Sequence, residues 1–176
     1  IIYFGVLKLG AIVVPLSVLL KKEEIAFHLN DSNAKACFCF VGTPDLPMLK
    51  ETYSGFKKAN HCEHLFVIMP SLDEGSPING LETLGSLIDK QPTTFESAMT
   101  NAEDTAVIVY TSGTTGQPKG AQLTHNNLLL NAIVSSNVFD IVNNDVLLIT
   151  LPLFHIFAMT TLMNAGVYKG ATGVLL

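Results

Sequence analysis

The chain has 176 residues, 48% hydrophobic and 14% charged, with a net charge of -5 and a mean hydropathy of +0.40, which is enough apolar material for one substantial core. All 10 basic side chains are Lys, and without the Arg clusters that grip phosphodiester backbones, nucleic acid is excluded as the expected partner. Charge well below the roughly 25% usual in soluble domains implies that other protein covers part of this surface. A first residue other than Met and a final Val174-Leu175-Leu176 that reads as a strand cut short add the expectation of a piece of a larger protein.

In chain order, Ile1–Leu9 is expected as an apolar helix ended by Gly10, and Ala11–Val14 as a buried strand stopped by Pro15. Lys22–Leu29 has helical spacing, with Ile25 and Leu29 on one face and Glu24 and His28 on another, before the stop Asn30-Asp31-Ser32-Asn33. Ala36–Val41 reads as a strand, Pro47–Lys58 as a helix and Leu65–Met69 as a strand. This alternation predicts an α/β fold, a mostly parallel sheet flanked by helices. Pro70–Pro77 is a polar loop, Leu81–Ile88 a short helix and Gln91–Asp104 a surface connection. Thr105–Tyr110 is expected as a strand, Thr111–Gly120 as a Gly-rich loop and Gly120–Leu123 as a short strand. Thr124 is the expected N-cap of a long helix through Phe139. A buried strand Asp145–Thr150, a helix to about Tyr168 and a strand from Ala171 complete the chain.

Ile1–Leu20 and Leu151–Leu176 are apolar enough to raise a membrane reading, but Lys8, Pro15, Pro152, His155, Asn164 and Lys169 interrupt them, and a spanning helix needs ~20 predominantly apolar residues. Buried core is the better reading; membrane association is left open with nothing pointing to it. Three Cys, without framework spacing or a visible secretory signal, fit a reduced cytoplasmic protein.

The segment richest in chemistry is Tyr110-Thr111-Ser112-Gly113-Thr114-Thr115-Gly116-Gln117-Pro118-Lys119-Gly120. Four Ser/Thr hydroxyls, three Gly and one Lys directly follow a buried strand, which is expected to place them at the carboxyl end of a parallel sheet, where α/β folds bind ligands. Glycines let backbone amides approach an anion, hydroxyls donate to phosphate oxygens or meet a metal ion, and Lys adds a compact positive charge. A polyphosphate is the ligand class that fits. The Walker pattern G-x-x-x-x-G-K-[ST] does not: Pro118 stands where its second glycine belongs, and Gly120, not Ser or Thr, follows Lys119.

This string resembles the phosphate-loop signature of the AMP-forming, acyl-adenylating superfamily, which includes acyl-CoA synthetases, coumarate ligases, peptide-synthetase adenylation domains and luciferases. Gly5–Phe38 and Leu151–Leu176 are similar to the flanking parts of those enzymes, the latter most like bacterial long-chain fatty acid CoA ligases, whereas about Thr43–Asn101 carries no signature. The resemblance implies that residues 1–176 are part of the large N-terminal adenylation domain, with the C-terminal domain absent. It implies an enzyme that joins a carboxylic acid to ATP as an acyl-adenylate and passes the acyl group to coenzyme A, with Mg2+ assisting. A long-chain fatty acid is the expected acid; an aryl-CoA ligase, another acyl-adenylating enzyme or an inactive nucleotide-binding fragment are the alternatives.

Carried over, Thr111, Ser112, Gly113, Thr114, Thr115 and Gly116 would wrap the phosphates with Lys119 close by, and Thr111 would lie near the metal. His155, in Pro152-Leu153-Phe154-His155-Ile156-Phe157, matches a family histidine beside the acyl pocket. Lys119 and His155 are thus the residues implied to act in the reaction. Ala158, where many relatives carry Gly, would add a methyl near that pocket. His125 reads as a helix-start residue, Cys37 and Cys39 as buried small hydrophobes on one strand face, and His61-Cys62-Glu63-His64 as a metal corner lacking a second ligand pair. The remainder of the same enzyme is the expected cover for the apolar surface. The isolated chain is expected to be inactive, because the adenine, ribose and C-terminal catalytic motifs lie beyond it.

Overall fold

A computed structural model describes residues 1–112 and 116–176. Six α-helices, six strands and one π-helical segment are found among the described residues. They fall into two compact units, Val18–Glu96 and a second made of Ile1–Ser17 with Ser97–Leu176. The fold is α/β with parallel strand pairs flanked by helices, and the pairs β1–β2 and β5–β6 are parallel.

Within Val18–Glu96 lie α2 (Lys22–Asp31), β1 (Ala36–Phe40), α3 (Met48–Phe56), β2 (His64–Ile68) and α4 (Leu84–Ile88). Each strand alternates buried and half-buried positions, as a pleated strand with one face on a core must. The register sets Cys37 beside Leu65 and Cys39 beside Val67 on the inner face, while Phe38 stacks on Phe66 at 5.0 Å on the other. Ile25 and Leu29 of α2 and Leu49 of α3 close this core, together with Cys62. His28, expected on a different face of α2 from Ile25 and Leu29, is buried as they are, its Nδ1 2.6 Å from the Glu24 carbonyl.

The other unit contains α1 (Ile2–Lys8), β3 (Thr105–Thr111), β4 (Lys119–Thr124), α5 (His125–Val138), β5 (Val146–Ile149), a π-helical segment Ala158–Asn164, α6 (Ala165–Lys169) and β6 (Thr172–Leu175). Its core is Ala106 and Val107 of β3 with Leu128 of α5 and Met159 of the π segment, packed by Tyr3, Leu7, Val13 and Met163. Ala11–Val14, expected as a strand, supplies only one bridge: Val13 lies parallel to β3, taking and giving 2.9 Å backbone bonds with Ala106 and Ile108. Thr124 caps α5 as expected, its hydroxyl accepting from Asn127 N–H at 3.1 Å while the Asn127 amide oxygen accepts from Thr124 N–H at 3.0 Å. The helix from His155 to Tyr168 is not a continuous α-helix, since its middle is π-helical. Nor is β5 buried: Val146 and Leu148 stand 67% and 57% exposed, because its two-stranded sheet with β6 is covered on one side only. No helix among the described residues is long and apolar enough to cross a membrane.

Burial pushes the Cys37 thiol up to about 12, with the neighbouring Cys39 and Cys62 adding to the shift, and raises those two thiols as well. All three are free and buried. They are therefore expected to resist an aromatic disulfide reagent at pH 8 in the native protein and to react together once denaturant is added. The unfolded chain ionises Cys37 near its ordinary value of 9, below the folded value. The stability it contributes is complete below pH 9 and lost as pH rises toward 12, which alkaline denaturation at stepped pH measures.

Candidate functional site

The predicted loop opens from a hairpin. β3 and β4 are antiparallel, with Thr111 opposite Lys119 and Tyr110 opposite Gly120, so the expected setting at the carboxyl end of a parallel sheet is replaced by the mouth of an antiparallel pair. The physical reason is the short connection: strands joined this closely return antiparallel, whereas a parallel partner requires a long crossover. Among the described residues the parallel neighbour of β3 is Val13, on its other edge.

This pairing brings two predicted residues together across the ladder, the Thr111 hydroxyl side chain and Lys119, both exposed. Ser112 and Gly116 flank them and are also exposed. Gly116 holds φ +86°, the left-handed region where a side chain is strained. Gly120 is tight rather than strained: a Cβ there would stand 2.8 Å from Ile108 Cγ2 and 3.3 Å from the Tyr110 ring, so glycine is what lets that ring lie across the ladder. Gly113, Thr114 and Thr115 lie outside the described residues. Lys119 makes no ion pair among the described residues.

His155 sits in the turn entering the π segment. Its N–H donates to the Pro152 carbonyl at 2.9 Å and its carbonyl accepts from Met159 N–H at 3.0 Å. The ring Nδ1 accepts from Phe157 N–H at 3.3 Å, and the residue is exposed. Phe154 and Phe157 flank it, half-buried and exposed respectively. Ala158, whose methyl is expected near the acyl pocket, is fully buried inside the unit. His155 and the hairpin share one core, since Met159, one turn after His155, packs with Val107 of β3. His125 is the first residue of α5, as expected.

A cavity of about 480 Å3 lies in the other unit, lined by Val41, Pro44, Pro47, Lys50, Tyr53 and Pro77 among others. It contains none of the predicted site residues. No group of three or more His, Cys, Asp or Glu stands ready for a metal among the described residues, so His61-Cys62-Glu63-His64 forms no metal corner. The feature that sequence reasoning missed is the π-helical segment. Its one sequence trace is the pair of consecutive hydroxyls, Thr160 and Thr161, buried in an otherwise apolar helix.

Residues 1–176 match the family model of the AMP-binding enzymes over their whole length. The chain belongs to that family. It is 34% identical over 174 residues to a crotonobetaine/carnitine–CoA ligase of Escherichia coli, covering 98% of this chain and 32% of the relative. Among solved structures it is similar to an anthranilate CoA ligase in complex with anthranoyl-AMP, at 31% identity and TM-score 0.83, over 99% of this chain and 32% of that one. It is also similar to a long-chain-fatty-acid CoA ligase from Archaeoglobus fulgidus, at 30% identity and TM-score 0.80, with the same two coverages of 99% and 32%. The chain thus spans about a third of the length of the relatives it matches.

Replacing Thr124 with Ala removes the cap that starts α5 directly after the hairpin. The expected loss is about 1 kcal/mol in urea unfolding, with little change in the slope.

Proposed function

We propose that this chain supplies the ATP-phosphate site of an AMP-forming acid–CoA ligase, an enzyme that activates a carboxylic acid as its acyl-adenylate and transfers the acyl group to coenzyme A. The observation that carries the reading is the hairpin mouth, where Thr111 faces Lys119 and Gly116 turns the backbone through a left-handed conformation. A carboxylate nears a highly anionic nucleotide in such a reaction, and the barrier falls when charge on the phosphates is offset by donors already in place. Lys119 offers a positive charge, Thr111 and Ser112 offer hydroxyls, and in the proposal Gly113, Thr114 and Thr115 complete the wrap.

In this reading Mg2+ would arrive with the nucleotide and be held chiefly by its phosphates, with the Thr111 hydroxyl as a neutral oxygen beside it, because no carboxylate cluster stands ready for it among the described residues. When present it neutralises and orients the phosphates. His155, exposed and with Phe154 and Phe157 beside it in sequence, positions the acid in this reading. The exposed apolar residues Val146, Leu148 and Val174 await cover from the remainder of the same enzyme, and the compartment is the cytoplasm.

For the acid we propose a long-chain fatty acid, supported by the likeness to the Archaeoglobus ligase. An aryl acid is the second reading, favoured by the similarity to the anthranilate ligase. In the full-length protein, acid-dependent ATP–pyrophosphate exchange with palmitate, anthranilate and crotonobetaine separates them: the fatty acid is expected to give the highest kcat/KM, and a preference for either other acid overturns that choice. Lys119→Ala is expected to slow the exchange ~10–100-fold through lost phosphate stabilisation. An unchanged rate removes Lys119 from the site.

A further inference from the structure

After His155 the helix leaves α geometry. Ala158–Asn164 winds as a π-helix, closed by Ala165 N–H donating to the Thr160 carbonyl. Such segments are rare, add a residue to a turn, and concentrate where function demands an irregular helix. Here both ends are held. Ala158 and Met159 at one end are 0% and 1% exposed, with Met159 under β3, while Ala165 at the other is 0% exposed and Gly166 faces Leu147 of β5 so closely that a Cβ would come within 2.9 Å of Leu147 Cδ1.

Two polar side chains hold the extra residue in place. The Thr160 hydroxyl donates to the Ile156 carbonyl at 2.8 Å, one residue beyond His155. Asn164 Nδ2 donates to the Tyr3 hydroxyl of α1 at 3.2 Å, across 161 residues of sequence. Asn164 Oδ1 is buried and finds no partner among the described residues. Exchanging the amide atoms only moves the deficit to the nitrogen, which has two hydrogens to place. A buried amide left half satisfied calls for an explanation, because native proteins seldom tolerate one. Burial also raises the Tyr3 phenol above its ordinary value, which keeps it protonated and able to hydrogen-bond.

We propose that Asn164 and Thr160 are positioning residues for His155, fixing the π register that sets the direction in which its imidazole leaves the helix. This rests on the proposed role of His155 in positioning the acid. Reverting the segment to α geometry removes one residue from a turn and rotates the helix on the N-terminal side by about 100° relative to the C-terminal side. Ala165 and Gly166 after the segment are buried and Asn164 is tied to Tyr3, whereas His155, Ile156 and Phe157 before it are exposed. The rotation therefore falls on the end that carries His155.

The test uses the full-length protein with Asn164→Leu, Thr160→Val, His155→Ala and the two doubles containing His155→Ala. Each of the first two is expected to lower kcat/KM for the acid about 10-fold or more, since small misplacements near reacting groups are costly. KM for ATP should stay unchanged, and neither should lower the rate further once His155 is Ala. Additive losses in the doubles, or equal loss for ATP and acid in step with Tm, overturn the proposal. A silent His155→Ala sinks the functional reading of that residue, and the positioning claim is then decided by nitrogen-15 NMR of its ring. Loss of the Phe157 N–H bond to Nδ1 in Asn164→Leu, seen as shifted ring-nitrogen signals, supports positioning; unchanged signals refute it.

Discussion

The burial of β3 is the constraint on which the hairpin unit depends. Ala106 and Val107 are fully enclosed, and both edges of the strand are occupied, one by Val13 through two backbone bonds and the other by the β4 ladder. A strand held this way cannot slip by a residue without turning its apolar face outward. The end of the strand, Thr111, and its partner Lys119 inherit that fixed register. Met159 and Leu128 press on the same two residues, so the helix that follows the hairpin and the segment that carries His155 are referred to one strand.

Features decided by neighbours in sequence are the legible ones. Thr124 and Asn127 cap α5 because both lie at its start, and the positions of α2, β1, α3 and β2 follow from apolar spacing and the stop at Asn30-Asp31-Ser32-Asn33. Pairing is less legible. A strand followed by a glycine-rich loop suits the end of a parallel sheet as well as the mouth of a hairpin, and only the ladder of Thr111 on Lys119 distinguishes them. Ala11–Val14 has the composition of a buried strand yet finds a partner at Val13 alone. The π segment is invisible for a clearer reason: its anchor on Tyr3 joins Asn164 to the far end of the chain, and no window of local spacing contains both.

Low charge and high apolar content acquire a location in the structure. The Val18–Glu96 unit satisfies its own core with Ile25, Leu29, Leu49, Leu65, Val67 and three thiols. The other unit does not enclose all of its apolar surface, since Leu129, Leu130, Val134 and Val138 on α5 and Val146 and Leu148 on β5 remain exposed. On α5, Leu130, Val134 and Val138 stand four residues apart and so form one exposed apolar stripe. The candidate site residues that the structure describes all belong to this second unit.

Arginine's absence sharpens how a phosphate site can be built here. Guanidinium groups bind phosphate by bringing their own rigid fork, so the backbone beneath them need not be exact. A lysine offers a point charge on a flexible stem and hydroxyls are short, which shifts the burden of geometry onto the main chain. The hairpin's main chain is constrained at three points: the ladder sets Thr111 opposite Lys119, Gly116 takes a conformation that side chains resist, and Gly120 admits the Tyr110 ring against the strand. In the proposed phosphate site, the precision that a bidentate side chain would carry falls to backbone register, which is why β3, with Ala106 and Val107 fully enclosed, matters to that proposal as much as the loop's own residues.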